Sequence, residues 1–166
     1  MSGAGANSSD VVGSDVAVCG GGLVGATLAL ALAEIGLDVV LIEAQPFGTF
    51  GQPSFDERTT ALANGTVRVF RSLGVWRHME REAMPIRRIH VSEQGRFGTA
   101  RIDAAEQGLE ALGYVLPNRV IGAGLWAGLR DCPGVEVIAP ARAVCSELEG
   151  ELRVLTCERD GREQRI

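Results

Sequence analysis

The feature that most restricts the fold of this chain is a glycine cluster between two apolar segments. Val16–Cys19 is a short, β-branched run typical of a strand buried on both faces, and it leads directly into Gly20–Gly22. Val24–Ile35 is rich in Ala and Leu and contains no Pro, so it predicts a helix that ends at Gly36. Asp38–Glu43 is a second apolar run. Strand, glycine turn, helix and strand together predict a βαβ unit with parallel strands.

The spacing of the glycines predicts a binding loop for a dinucleotide. Gly20, Gly22 and Gly25 fit the pattern G-x-G-x-x-G. The first glycine permits a sharp turn, the second lets the backbone approach a pyrophosphate, and the third lets the helix pack close to the strand. The first helical residues, Leu23 and Val24, direct their N–H groups and the positive end of the helix dipole at the phosphates.

An acid closes the predicted second strand. Glu43 follows Gly25 with 17 residues between them, a position from which a carboxylate accepts hydrogen bonds from the ribose hydroxyls of an adenosine. The acid also repels a 2′-phosphate, which favours an unphosphorylated dinucleotide. The fingerprint does not separate NAD from FAD, since both carry the same ADP half. An ordinary glycine turn in a βαβ unit is the alternative interpretation.

The pattern after residue 44 predicts further elements. Gln45–Phe55 is typical of a loop, and the spacing of apolar residues predicts a helix over Thr60–Leu73, a short helix over Val75–Glu82 and a helix over Asn118–Arg130. Alternating residues predict an antiparallel hairpin within 86–102, turning at Glu93–Arg96, and a strand at Tyr114–Leu116. Three more strands are predicted at Val135–Ile138, Ala141–Leu148 and Leu152–Glu158, and Gln164–Ile166 is expected to begin an unpaired strand.

Composition excludes several classes of function. The net charge is −5 and all 16 basic residues are scattered arginines, so the chain shows no electrostatic footprint for nucleic acid. No apolar stretch is long enough to span a bilayer. The four cysteines form no CxxC pair and neither histidine has a second ligand at a suitable spacing, so we expect no metal site and reduced, mostly buried thiols in a cytoplasmic protein. These residues are Cys19, Cys132, Cys145, Cys157, His78 and His90.

Four blocks of the chain resemble a known family. The sequence is similar to the group A flavoprotein monooxygenases, and within them to the ubiquinone-biosynthesis hydroxylases of the 2-octaprenyl-6-methoxyphenol hydroxylase type. The resemblance implies an α/β, Rossmann-like FAD-binding βαβ fold of the p-hydroxybenzoate hydroxylase type, with an antiparallel β insertion and a β-meander. The blocks are "DVAVCGGGLVGATLALALAEIGLDVVLIEA", "FDERTTALANGTVRVFRSLGVW", "IRRIHVSEQGRFGTARID" and "LGYVLPNRVIGAGLWAGL".

The resemblance also implies a domain organisation. Residues 1–13 form a disordered lead-in, residues 14–82 and 117–166 form an FAD-binding domain that is incomplete at its C-terminus, and residues 83–116 form part of a substrate-domain sheet. Two later fingerprints of the family, an Asp-Gly pair after an apolar strand and a Gly-Asp pair that holds the ribityl chain, are absent. We therefore expect an N-terminal fragment that does not complete a catalytic cycle alone.

Further cofactor ligands follow from the resemblance. Arg58 matches an arginine that the family places near the FAD pyrophosphate, a role suited to the guanidinium fork. A solvated loop arginine is the alternative for Arg58. Asn118 or Arg119 contacts the cofactor where the chain re-enters the FAD domain, although Asn118 is equally well placed as a plain helix N-cap. The three strands predicted between Val135 and Glu158 resemble the meander that crosses under the adenine in this family, where Val144 offers backbone groups.

The implied activity is hydroxylation of an aromatic ring. NAD(P)H reduces FAD, the reduced flavin captures O₂ as a C4a-hydroperoxide, and a hydroxyl group passes to a polyprenylated phenol. No catalytic residue is expected in this stretch. A lipid substrate implies peripheral contact with the inner membrane or with other ubiquinone-biosynthesis proteins. A hydroxylase of a soluble aromatic, a nicotinamide-dependent dehydrogenase and a non-catalytic dinucleotide-binding module are the alternatives.

Overall fold

The computed structural model describes residues 13–46, 57–95 and 97–166. The chain divides into two compact units, of which the first comprises Met1–Thr49 with Cys132–Ile166 and the second comprises Phe50–Asp131. Residues 1–12 of the predicted lead-in and residues 47–55 of the predicted loop lie outside the described residues. The assignment of residues 83–116 to a substrate domain stays a prediction.

The first unit contains the βαβ arrangement that the sequence predicts. Strand β1 (Val16–Cys19), helix α1 (Leu23–Glu34) and strand β2 (Val39–Ile42) follow one another, and Gly36 adopts a φ of +88° just after the helix. β1 and β2 pair in parallel, and β8 (Val135–Ile138) pairs in parallel with the other edge of β2. All four residues of β2 are buried, as is typical of the central strand of a parallel sheet.

An antiparallel meander completes the first unit. Its strands are β9 (Arg142–Glu149), β10 (Leu152–Arg159) and β11 (Arg162–Arg165), with β10 in the middle. Two expectations are wrong here. The run 135–138 is not a meander strand but the third parallel strand, because a short Val- and Ile-rich run suits pairing with β2. The last residues are paired, since Ile166 and Leu155 exchange two backbone hydrogen bonds of 2.8 and 2.9 Å.

The meander and the parallel sheet share a buried cluster. Val40 and Ile42 of β2 pack in it with Leu155 and Cys157 of β10 and with Ile166. The alternation of side chains in β2 places Val40 and Ile42 on one face and leaves Leu41 for the other. The cluster therefore covers the face of the sheet from which the meander approaches.

The second unit is built on an antiparallel sheet. Strand β7 (Gly113–Pro117) lies between β3 (Thr59–Ala63) and β4 (Met84–Ile86). Helix α2 (Asn64–Ser72) follows β3, and helix α3 (Asn118–Asp131) follows β7 without an intervening loop. The rings of Trp76 and Tyr114 meet edge to face with their centroids 5.1 Å apart.

Two predicted helices of the second unit are corrected. The apolar pattern over Thr60–Leu73 is helical only from Asn64, because Thr59–Ala63 forms five register pairs with β7 and this pairing overrides the local pattern. The predicted helix over Val75–Glu82 consists of two single 3₁₀ turns, Trp76–His78 and Glu80–Glu82. The helix predicted over 118–130 is confirmed as α3.

The predicted hairpin is confirmed as a separate two-stranded sheet. Strands β5 (Arg88–Ser92) and β6 (Thr99–Asp103) pair antiparallel, with Arg88 opposite Asp103. The register places Ile89 opposite Ile102 on one face of the hairpin. Its base is closed by Asp103, whose carboxylate accepts hydrogen bonds from Arg88 at 3.0 Å and from the Ala105 N–H at 3.0 Å.

The Asp103 carboxylate is expected to make the base of this hairpin sensitive to acid. The Ala105 N–H, the hydrogen bond from Arg88 and the charge of Arg88 lower the pKa of Asp103 below its ordinary value of 3.8. Because the pKa is lowered on folding, the carboxylate's contribution to the stability of the hairpin base is complete above the ordinary pKa. It is lost as the pH falls through the lower pKa of the folded state. The Ala105 amide proton shift, followed by NMR, should therefore titrate below 3.8. Asp103→Asn should remove that titration, and a midpoint above 3.8 would contradict it.

Candidate cofactor-binding site

The glycine loop after β1 is shaped by the absence of side chains. Gly20 adopts a φ of +102°, a conformation that L side chains rarely adopt, and its N–H donates to the Ile42 carbonyl at 2.7 Å. A Cβ built on Gly25 would lie 1.9 Å from the Gly20 carbonyl oxygen. The third glycine of the motif is therefore required by a backbone-to-backbone contact, which brings the first turn of α1 against the end of β1.

The N-terminus of α1 presents its amides without a protein cap. Gly22 is the N-cap residue, and no side chain among the described residues caps the helix there. The first turn contains no acid, and Val24 is 83% exposed. The N–H groups of the first turn have no acceptor within a helix, so this end of α1 carries the partial positive charge that binds anions.

Glu43 joins the end of β2 to the glycine loop. Its carboxylate accepts hydrogen bonds from the Gly21 N–H at 2.6 Å and from the Gln45 N–H at 2.7 Å, and the residue is 9% exposed. An ionised carboxylate has about four acceptor positions, so capacity for ribose hydroxyls remains after these two bonds. The sequence predicts the ribose role of Glu43 but not this bracing of the loop, since the amides of Gly21 and Gln45 carry no side-chain signal.

Three predicted ligands lie together in the second unit. The Asn118 N–H donates to the Arg58 carbonyl at 2.8 Å, and the Asn118 Oδ1 accepts from the Thr60 hydroxyl at 2.6 Å. Arg119 binds Glu57 at 3.1 Å and Glu82 at 3.0 Å, and these bonds, chiefly that with Glu82, raise the pKa of Arg119. Asn118 is the first helical residue of α3, and its role as a helix N-cap stays a prediction. Sequence reasoning missed the three partner side chains.

Val144 lies at an irregularity of β9. Cys145 is opposite Thr156 and Ala143 is opposite Cys157, so the register shifts by one residue between them and leaves Val144 as the extra residue of a β-bulge. The side chain of Val144 is 58% exposed. A bulge takes backbone groups out of the regular ladder, which is compatible with the predicted backbone contact of Val144. That contact stays a prediction.

The cysteines differ in exposure, contrary to the expectation that most are buried. Cys157 is buried in the cluster shared by β2 and β10, Cys132 is half-buried, and Cys19 and Cys145 are exposed. Burial, with a smaller contribution from the neighbouring Cys19 thiol, raises the pKa of Cys157. The thiolate is the reactive form, so Cys157 is protected both sterically and chemically.

This difference predicts an order of alkylation. A short pulse of iodoacetamide on the folded protein should label Cys19 and Cys145 at least about tenfold faster than Cys157, as measured by peptide mass spectrometry. Labelling in denaturant, where the three thiols are equally accessible, serves as the control. Equal rates in the folded protein would contradict the burial of Cys157.

Two features are absent from the part of the chain that the structure describes. No three His, Cys, Asp or Glu side chains within 13–46, 57–95 and 97–166 are grouped to hold a metal ion. In the same ranges, no helix combines the length and the apolar character needed to cross a membrane.

Comparison with known proteins identifies relatives of the chain. A family model described as "FAD binding domain" matches residues 13–165. The chain is 34% identical over 148 residues to 3-demethoxyubiquinol 3-hydroxylase of Escherichia coli K12, an alignment covering 86% of this chain and 37% of that protein. It is 35% identical over 140 residues to ubiquinone hydroxylase UbiL of Rhodospirillum rubrum, covering 82% of this chain and 32% of that protein. The chain thus spans about a third of the length of these relatives.

Solved structures share the fold. The crystal structure of p-nitrophenol 4-monooxygenase PnpA from Pseudomonas putida DLL-E4 superposes with a TM-score of 0.73 at 19% identity, covering 94% of this chain and 39% of that one. The flavin-dependent monooxygenase PieE, solved in complex with FAD and substrate, gives a TM-score of 0.66 at 22% identity, covering 92% of this chain and 29% of that one. Both similarities concern the fold alone.

Proposed function

Because this chain belongs to the FAD-binding domain family, we propose that it is the FAD-binding part of a hydroxylase that acts on an aromatic ring in ubiquinone biosynthesis. The cofactor is FAD. The observation that supports this function best is the close approach of Gly25 to the Gly20 carbonyl, beside an uncapped helix N-terminus and a buried carboxylate. Such a cradle fits a pyrophosphate followed by a ribose.

We assign the groups that hold the ADP half of FAD as follows. The amides at the start of α1 bind the pyrophosphate, and the Glu43 carboxylate accepts hydrogen bonds from the ribose of the adenosine. Arg58 supplies a charged fork to the phosphates, and Val144 offers backbone groups to the adenine. The loop and α1 ligands are Gly20, Gly22, Leu23, Val24 and Gly25. The fit rests on amides without a cap and on the space that glycine leaves.

FAD, when bound, supplies the redox chemistry by which O₂ is activated for ring hydroxylation, with NAD(P)H as the co-substrate that reduces it. The residues of this chain bind and orient the cofactor, and none is assigned a proton transfer. The ubiquinone hydroxylases, at 34% and 35% identity, support a phenol with a polyprenyl tail as the substrate over a soluble aromatic.

The test of this function uses the purified full-length enzyme that contains this chain and has two parts, cofactor binding and turnover. The purified enzyme should show the visible absorption of bound FAD, and the fluorescence of added FAD should be quenched as it binds to the apoprotein. NADH oxidation should accelerate when a polyprenylated phenol is added. Mass spectrometry should then show a product heavier by one oxygen atom, labelled from ¹⁸O₂. The proposed function is wrong if FAD does not bind, or if the phenol neither accelerates NADH oxidation nor gains an oxygen atom.

A substrate that partitions into lipid requires an encounter at the membrane surface. We therefore propose that the enzyme is cytoplasmic and contacts the inner membrane peripherally, alone or with other proteins of ubiquinone biosynthesis. Co-sedimentation with vesicles that contain the polyprenylated phenol, compared with vesicles that lack it, tests this contact. Equal recovery in the supernatant in both cases would contradict it.

A further inference from the structure

The start of α3 holds the segment Glu57–Thr60 at three points. The Asn118 N–H donates to the Arg58 carbonyl at 2.8 Å, and its Oδ1 accepts from the Thr60 hydroxyl at 2.6 Å. The Arg119 Nε donates to Glu57 at 3.1 Å. These three bonds fall before, at and after Arg58, so the backbone that carries the Arg58 side chain is fixed from both sides.

The position of Asn118 strengthens this attachment. Asn118 is 9% exposed, and hydrogen bonds in such a position are held more firmly than those in water. Its bond to the Arg58 carbonyl continues the β3–β7 ladder by one residue, since Thr59 is opposite Pro117. The backbone of the segment therefore extends the sheet by one hydrogen bond, and the Thr60 hydroxyl attaches it to the Asn118 side chain.

Arg119 is engaged on two nitrogens by two carboxylates. Its Nε binds Glu57 and a terminal nitrogen binds Glu82 at 3.0 Å. Glu82 and Glu57 both favour the charged form and raise the pKa of Arg119. A guanidinium engaged in this way ties Glu57 to α3 and has fewer free N–H donors for a phosphate than an unpaired guanidinium has.

We propose that Asn118 and Arg119 are positioning residues for Arg58. They hold the Glu57–Thr60 segment so that the Arg58 guanidinium meets the FAD phosphates with little conformational freedom to lose. Fixing the base of a long side chain before binding reduces the entropic cost of ordering it. The inference rests on the proposed FAD site, of which Arg58 is a part.

A double-mutant cycle with Arg58→Ala separates positioning from direct contact. Thr60→Val removes the hydroxyl that Asn118 accepts, and Arg119→Gln removes the charge that binds Glu57. Each single substitution should raise the FAD dissociation constant about tenfold. If they act through Arg58, neither should raise it further once Arg58 is alanine, because coupled sites are not additive. The measurement is FAD fluorescence quenching with each apoprotein.

Arg77→Gln is the matched control in the same unit. It removes an exposed ion pair, Arg77 with Asp131 at 3.4 Å, that does not involve the Glu57–Thr60 segment. It should leave the FAD dissociation constant unchanged. Its thermal midpoint and that of Arg119→Gln should both stay within about 3 °C of the parent, since exposed ion pairs contribute little to stability.

Charge exchange provides a rescue that a merely structural role would not give. Glu57→Arg combined with Arg119→Glu, made in a Glu82→Gln background so that the new carboxylate does not face Glu82, should recover most of the FAD affinity lost in Arg119→Gln. Additive losses in the Arg58→Ala background, unchanged affinity in the single variants, or failure of the exchange would overturn the proposal while the FAD site stands. If the parent protein binds no FAD, the proposed function itself falls.

Discussion

Gly25→Ala is expected to raise the FAD dissociation constant at least about 100-fold, which is about 2.7 kcal/mol of binding free energy. The added Cβ would lie 1.9 Å from the Gly20 carbonyl oxygen, and that oxygen belongs to the backbone and cannot rotate away. Either the first turn of α1 or the loop has to move, and both present the amides proposed to bind the pyrophosphate. Overpacking of this kind also lowers the free energy of unfolding by about 1–3 kcal/mol.

The comparison for this variant is Gly65→Ala. Gly65 is an exposed glycine of α2, and a Cβ built on it has nothing within 4 Å. Alanine there should raise the free energy of unfolding by about 0.5–1 kcal/mol and leave FAD binding unchanged. Fluorescence titration gives the affinity, and urea unfolding followed by circular dichroism gives the stability. A Gly25→Ala protein that folds and binds FAD as tightly as the parent would refute the assigned cradle.

The βαβ unit could be predicted from the sequence because its signals are local and agree with one another. Residues 16–19 and 39–42 are continuous apolar runs, and the intervening segment has helical composition ending in a glycine of positive φ. The predicted helix over 24–35 differs from α1 by one residue at each end. Local propensity and turn chemistry favour the same structure here. The expected burial on both faces is wrong for β1, because β1 is at the edge of this sheet and only Val18 of its four residues is buried.

The errors occur where pairing partners are distant in sequence. Thr59–Ala63 has residues that suit a helix or a strand, and only pairing with β7, 50 or more residues later, makes it a strand. Val135–Ile138 lies next to the meander in sequence but pairs with β2, almost 100 residues earlier. A periodicity read over a short window contains no information on which strand is the neighbour.

The site is predictable in its side chains and less so in its backbone. The glycine spacing and Glu43 follow from the motif, whereas the amides of Gly21 and Gln45 that hold the carboxylate are backbone groups without a sequence signature. The pairing of Arg119 with Glu57 and Glu82 likewise depends on the folded unit. The family resemblance alone made Arg119 a candidate cofactor contact, and its ion pairs support the positioning role that we propose for it.

Glu43→Gln is expected to weaken both the loop and the cofactor site. The carboxylate accepts two backbone N–H groups, and an amide offers one acceptor oxygen and places an NH₂ donor against the second N–H. Hydrogen bonds to a charged group contribute about 1.5–3 kcal/mol, so the loss of one lowers the free energy of unfolding by about 2 kcal/mol. Glu43→Lys should cost more, about 3–5 kcal/mol, because a cation at this 9% exposed position faces two donors.

ADP distinguishes a loss of contacts to the ADP half of FAD from a loss of contacts to the flavin half. ADP carries the pyrophosphate and the ribose that Glu43 is proposed to bind, so it should compete with FAD in the parent protein. In Glu43→Gln, ADP affinity and FAD affinity should fall by the same factor, about 100-fold, because the lost contact belongs to the shared half. Glu34→Gln, an exposed carboxylate at the end of α1, should change the free energy of unfolding by less than about 0.5 kcal/mol and neither affinity. A fall in FAD affinity with ADP affinity unchanged would place Glu43 away from the ribose, because only the flavin half would then depend on it.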